Sequence, residues 1–227
     1  MDFKKTFFLT LPVAFAYIPL GMALGILAAS NDFSYLQILA ISFFVYSGSA
    51  EFLLVSFIVN NEGLLGIFIS LFLVGFRHFF YTISLLKELK ALNFLRHYVI
   101  FALSDESFAL LSTYKKEFNE ELSKETRSIL QAFLCFLNQS YWLIGVSLGF
   151  VLQNLIKLDY SGIEFALSAL FIVISIDAYK QNPNKNILLF ALILGLCALL
   201  FIDKKYMLFS SLFIVVLFLL FRSKYAR

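Results

Sequence analysis

A succession of apolar runs, most of them close to the length of a membrane crossing, constrains this chain more than any other feature. They cover residues 6–29, 35–59, 64–86, 98–113, 128–152, 162–179, 187–202 and 206–221. A helix needs about 20 residues to cross the hydrocarbon core. The last two runs have 16 each, and flanking Lys and Tyr side chains that reach back to the interface make up the difference. The runs are continuous, whereas strands of a membrane barrel alternate residue by residue. With 61% hydrophobic and only 15% charged residues, a water-soluble fold has no way to hide the apolar surface. The fold class is therefore all-α, a polytopic transmembrane helix bundle of seven to eight membrane-embedded segments in one domain over residues 1–227.

The N-terminus is short and basic, and the run behind it extends to Ala29. That is longer than the roughly 7–15 apolar residues of a secretory leader, which predicts an uncleaved first helix. The remaining basic residues sit in short clusters between runs, as orienting charges rather than a nucleic-acid footprint. If all eight runs cross from a cytoplasmic N-terminus, 11 Lys and Arg lie inside and 6 outside. If 35–59 and 98–113 instead dip in and return, Lys87, Lys90 and Arg96 move inside and the ratio becomes 14 to 3. The positive-inside bias favours the second arrangement. Both runs also carry a polar break, and broken helices are how transporters build a site at mid-depth. A full helix with a few polar residues facing the bundle is the alternative.

Arg77 stands ten residues before Lys87, which predicts a depth of about 15 Å, half the hydrocarbon thickness. A lone Arg there costs about 2.5–3.5 kcal/mol on insertion scales. It needs a partner, and Glu51, Asp105 and Glu106 are the candidates. Either the pair ties helices together, or Arg77 lines a polar cavity and meets an anion. His78 follows it, about 100° round the helix, as a proton carrier or a packed neutral imidazole. Asp105 and Glu106 are adjacent carboxylates in an apolar run. One of them loads and releases a proton, or the pair is simply wet.

The segment Ser47-Gly48-Ser49-Ala50-Glu51 offers small residues and free backbone groups. A helix restarting near Ala50 would aim amide donors at an anion; otherwise the small residues let helices approach. Asn138, Gln139 and Ser140 line the same cavity or bond across helices, and Trp142 packs in the bundle. Gly21-x-x-x-Gly25 and Gly145-x-x-x-Gly149 are helix-contact spacings. Residues 114–127 form a solvated loop or surface helix. Cys135 and Cys197 are expected as small buried hydrophobes. No catalytic or phosphate-loop motif is present, and two His with two Cys in no ligand spacing offer no metal site. The expectation is a protein that is not an enzyme and holds no cofactor.

The stretch Phe76-Arg77-His78-Phe79-Phe80-Tyr81-Thr82-Ile83-Ser84-Leu85 resembles the signature of the AzlC family, large subunits of bacterial branched-chain amino-acid exporters. Ser47 to Phe52 is similar to that family's Ser-Gly-Ser-Ala-Gln-Phe element, and Leu103 to Ala109 to its Thr-Asp-Glu-x-Phe-Ala element. Gly162 to Ile174 resembles a later span, and Pro12, Pro19 and Gly21 fall at its N-terminal prolines and glycine. The resemblance implies a proton-driven exporter of hydrophobic amino acids in the cytoplasmic membrane, working with a small hydrophobic AzlD-type subunit. This chain departs in carrying Glu51 where the family has Gln, which moves proton coupling toward His78, Asp105 and Glu106. Substrate binding then falls to Arg77, Ser47, Gly48, Ser49, Glu51 and Asn138. The rival readings are a permease-type subunit of an ATP-driven transporter and a non-transporting membrane assembly subunit.

Overall fold

A computed structural model of the chain describes residues 1–119, 122–157 and 185–202, together with positions 172, 176, 179, 180, 183, 210, 211, 214 and 218. The predicted spans at 162–179 and 206–221, and their charges Asp177, Asp203, Lys204 and Lys205, lie outside or almost wholly outside the described residues. Contacts divide the chain into two units, Met1–Glu62 with Leu71–Ser168 and Gly63–Ser70 with Ala169–Arg227.

The described elements are all helical. They are α1 (Phe3–Ser30), α2 (Tyr35–Phe44), α3 (Gly48–Val59), α4 (Leu64–Ser84), α5 (Leu86–Lys90), α6 (Arg96–Phe101), α7 (Asp105–Thr113), α8 (Lys115–Asn119), α9 (Lys124–Ile156) and α10 (Lys185–Phe201). Three of them, α1, α4 and α9, are long and apolar enough to cross a membrane. Local chemistry sets the starts. Asp2 caps α1 by accepting from the Lys5 amide at 2.7 Å, Ser34 and Gln37 form a reciprocal capping box on α2, and Ser123 caps α9.

In the first unit α1 and α9 run side by side in the same direction. Phe3 meets Phe133 at 5.2 Å near their starts, and Gly149 lies against Met22 farther along. The two glycine pairs face each other across this seam. A Cβ on Gly21 would stand 2.9 Å from the Trp142 carbonyl oxygen, and one on Gly145 2.6 Å from that of Ile18. Glycine is therefore required for backbones to come this close.

Helices α2 and α3 form a hairpin that starts and ends at the Ser30 end of α1. Tyr35 at its start donates to Ser147 at 3.1 Å and packs on Phe150. The Phe43 carbonyl then accepts from Gln139 at 3.3 Å, about two helical turns down α9. On the way back, Val55, Ser56, Val59 and Asn60 share a cavity with Leu27 and Asn31. The turn passes through Tyr46, a buried non-glycine residue with φ 41°. Such a left-handed residue costs on the order of 1–3 kcal/mol unless its surroundings enforce it.

Helices α6 and α7 make a second hairpin from the opposite end. The Asn93 amide donates to Ser128 near the start of α9, and Tyr98 donates to Gln139 at 2.8 Å. Asn138 donates to Ser107 at 3.0 Å at the tip. The return ends where Lys115 pairs with Glu88 at 2.5 Å and Lys5 with Glu117 at 2.5 Å. Runs 35–59 and 98–113 are broken at 45–47 and 102–104, a few residues before the expected polar segments Ser47 to Glu51 and Asp105–Glu106. Gln139 holds both tips at once, and Phe43 meets Phe101 across them.

In the second unit, α10 is an apolar helix with Ala198 buried. Cys197 on it is exposed, contrary to the expectation of a buried thiol, because a helix this apolar can leave most of its surface to lipid; Cys135 is buried as expected.

Candidate functional site

The two hairpin tips carry serine caps, Ser47 before α3 and Ser104 before α7, but they are finished differently. Ser104 accepts from the Ser107 amide at 3.1 Å, so α7 is capped by its own chain. Ser47 makes no side-chain capping bond, which leaves the first amides of α3 without a cap. The uncapped N-terminus of a 12-residue helix is a partial positive charge at the tip. The helix restarts at Gly48, two residues earlier than the predicted Ala50. A Cβ on Gly48 would lie 3.1 Å from the Trp142 ring, so the glycine lets the tip rest on α9.

Glu51 is fully buried, and its carboxylate is occupied. One oxygen accepts from the Ser47 amide at 3.0 Å, and the other accepts from Ser42 at 2.7 Å and from the Trp142 indole at 3.0 Å. Glu51, expected among the substrate-binding residues, has its two oxygens on the turn of the first hairpin and on α9. It is no partner of Arg77.

Arg77 joins the two tips. One nitrogen, Nη2, donates to Ser49 of α3 at 2.9 Å and pairs with Asp105 of α7 at 3.0 Å. Nε is buried and has no hydrogen-bond partner among the described residues. Asp105 spends its second oxygen on the Tyr81 hydroxyl at 2.6 Å, and Tyr81 is stacked on Phe108 at 4.4 Å. Side-chain exposures of 24% and 36% leave the Arg77–Asp105 pair accessible from one side. Since α4 ends at Ser84 rather than at Lys87, Arg77 is seven residues, about 10 Å, from its helix end. It lies where the two hairpin tips meet.

Glu106 points elsewhere and accepts the Tyr17 hydroxyl from α1. The adjacent carboxylates are therefore split, one toward α4 and one toward α1. His78 bonds back to the Gly75 carbonyl at 3.1 Å and meets the Tyr81 ring edge-on, so it stands beside the site without a hydrogen bond to either acid. Asn138 is fully buried, with its amide on Ser107 and its Oδ1 unpartnered. Ser47 Oγ and Tyr46 Oη are likewise buried and unpartnered at the tip of the first hairpin. Such groups cost about 1–3 kcal/mol each when unsatisfied. Ser140 bonds within its own helix.

Tyr17, Tyr46 and Tyr81 were not foreseen as site residues. Their signal was a phenol in the middle of an apolar run, which hydropathy counts as apolar. Above the first hairpin, Leu27, Asn31, Phe52, Val55, Ser56, Val59 and Asn60 enclose a cavity of about 330 Å³ at the Ser30 end. No cluster of three metal-ligating side chains occurs among the described residues.

A model of the AzlC protein family matches residues 12–156. The branched-chain amino acid transport protein AzlC of Bacillus subtilis (strain 168) is 29% identical over 182 residues, 80% of this chain and 70% of that protein. An uncharacterised membrane protein of Helicobacter pylori (strain J99) is 32% identical, covering 98% of this chain and 96% of its own. The inner membrane protein YgaZ of Escherichia coli (strain K12) is 24% identical over 77% of this chain and 72% of its own. No solved structure matches.

Proposed function

Because the chain belongs to the AzlC family of membrane proteins, we propose that it is the large subunit of a secondary transporter that exports hydrophobic, branched-chain amino acids across the cytoplasmic membrane at the expense of the proton gradient. The observation that carries this reading is one guanidinium bonded to the tips of two half-length hairpins from opposite ends. Transporters place discontinuous helices at mid-depth for this purpose, with helix N-termini toward anionic groups. The name of the Bacillus subtilis relative supports an amino-acid substrate.

In this reading the whole chain acts as one membrane domain, both hairpins are re-entrant, and α1 starts in the cytoplasm. Arg77 and the first turn of α3, with Ser47, Gly48 and Ser49, take the substrate carboxylate. Glu51 holds that turn in shape. Asn138 offers its free carbonyl oxygen, an acidic side chain of α7 takes the ammonium, and His78, Asp105 and Glu106 form the proton-coupling set. The cavity beside Phe52, walled by Leu27, Val55 and Val59 as well as by polar side chains, has room for a branched side chain. A small AzlD-type subunit completes the transporter.

The test is efflux of labelled leucine from cells lacking their own exporters, with and without the chain and its small partner. Expression should raise efflux, collapse of the proton gradient should stop it, and Arg77→Ala should abolish it while the protein still inserts. Full export by Arg77→Ala removes the site assignment, and dependence on ATP instead of the gradient replaces the mechanism. A cysteine placed at Asn61 should react with an impermeant reagent from outside if the first hairpin is re-entrant.

A further inference from the structure

Arg77 and Asp105 satisfy each other, yet neither is saturated or sealed. Arg77 Nε is buried with no partner among the described residues, and both side chains are open on one face. Arg77 reaches the uncapped first turn of α3 through Ser49, and behind Ser107, two residues after Asp105, the Oδ1 of Asn138 is buried and unpartnered, an acceptor.

We propose that the Arg77–Asp105 pair is the closed form of a zwitterion site: an α-amino acid inserts between the two side chains, its carboxylate on Arg77 and the first turn of α3, its ammonium on Asp105, and a proton competes with that ammonium for Asp105. This rests on the transport reading above and narrows it. Of the acids at the tips, Glu51 is consumed by three donors and Glu106 by Tyr17 of the other long helix. Among the described residues Asp105 alone forms an ion pair with Arg77, and Tyr81 holds its second oxygen through the exchange of partners.

The charges balance. Arg77 and Asp105 together are neutral, and they stay neutral with a zwitterion between them. When Asp105 is protonated, the ammonium loses its counter-charge, the amino acid leaves, and the site carries one positive charge. One amino acid is thus exchanged for one proton, in the sense that export against an inward proton gradient requires. The titratable and charged groups facing Asp105 are Arg77, His78 and Tyr81 on α4 and Glu106 on α7, with Tyr17 of α1 and Tyr46 of the first tip behind Glu106. α3 and α9 present Ser49 and Asn138 nearby, neither of which titrates.

The site as drawn demands both head groups on one molecule. The experiment is equilibrium binding of labelled leucine to the purified full chain in lipid nanodiscs, from neutral pH down through the ordinary carboxylate range at about pH 4. 4-Methyl-2-oxopentanoate, which lacks the ammonium, and isopentylamine, which lacks the carboxylate, should each fail to compete at a hundredfold excess. The apparent Kd should rise as pH falls. Asp105→Asn should lose about a hundredfold in affinity, as expected for removing one partner of a shielded charge pair, and should lose the pH dependence. Competition by the keto acid, pH-independent binding, or tighter binding by Asp105→Asn would each overturn the proposal while leaving transport standing. Absence of leucine binding by the unmodified chain would instead remove the transport reading on which it rests.

Discussion

Tyr17 on α1 donates its hydroxyl to Glu106, the second residue of α7, in the same manner that Arg77 on α4 reaches Ser49, the second residue of α3. Each long helix therefore braces the hairpin that follows the other one. Removing the Tyr17 hydroxyl leaves Glu106 without its donor, a loss of about 1.5–3 kcal/mol for a bond to a charged group. Tyr17→Phe should accumulate in the membrane normally and slow leucine efflux by roughly tenfold or more. Initial efflux rates against protein level measure this, and unchanged efflux would show that the brace carries no function.

Glu51→Gln keeps an oxygen for Ser42 and Trp142 but turns an amide donor toward the Ser47 N–H. The cost should be about 1–3 kcal/mol, tolerable in a chain whose relatives are expected to carry Gln there. Glu51→Leu strands three donors and should leave little folded protein. Trp142 is the one tryptophan of the chain, so its emission reports the bond directly. A shift in Glu51→Leu and little change in Glu51→Gln is the expected pattern.

The seam between α1 and α9 should be intolerant of any side chain. Gly149→Val drives two methyl groups into the Met22 backbone and should abolish accumulation of the folded chain. Gly75→Ala on α4 has no atom within 4 Å of the new methyl among the described residues and should fold and transport normally. Fluorescence-detected size exclusion of the two variants compares them directly.

At the Met1 end, burial alone would raise the Glu88 carboxyl, but its hydrogen bond to the Lys115 ammonium holds it below the usual value. A lowered acid stabilises the fold at any pH above its unfolded value and loses that contribution as pH falls through the folded one. Glu88→Gln should therefore cost under about 1 kcal/mol at pH 7, since Lys115 is half exposed. The difference from the parent should shrink at about pH 3, below the ordinary carboxylate range. Thermal unfolding in detergent at the two pH values is the measurement.

The long helices were legible because the lipid requirement acts on each segment alone, so α1, α4 and α9 follow from run length. The breaks were legible only in part, as Ser47 to Glu51 interrupts one run and Asp105–Glu106 stands in the other, while the observed breaks fall a few residues earlier, at 45–47 and 102–104. Arg77 was found by its cost, but its partner was not, since the choice among Glu51, Asp105 and Glu106 depends on which way each helix faces after the break. Charge also hid the part played by Glu51, whose carboxylate serves its own turn. The phenols of Tyr17, Tyr46 and Tyr81 escaped because a scale that averages ring and hydroxyl cannot see a polar tip.

Each hairpin turns beside the middle of α9, and this has an electrical consequence. Where water follows both hairpins inward, the insulating layer shrinks from the full bilayer to the thickness of the contact around Arg77. The membrane voltage then falls across that layer alone. A charge displaced there by a few ångströms does most of the work of a full crossing, about 2.3 kcal/mol for each 100 mV, so a very short movement is enough to draw on the whole potential.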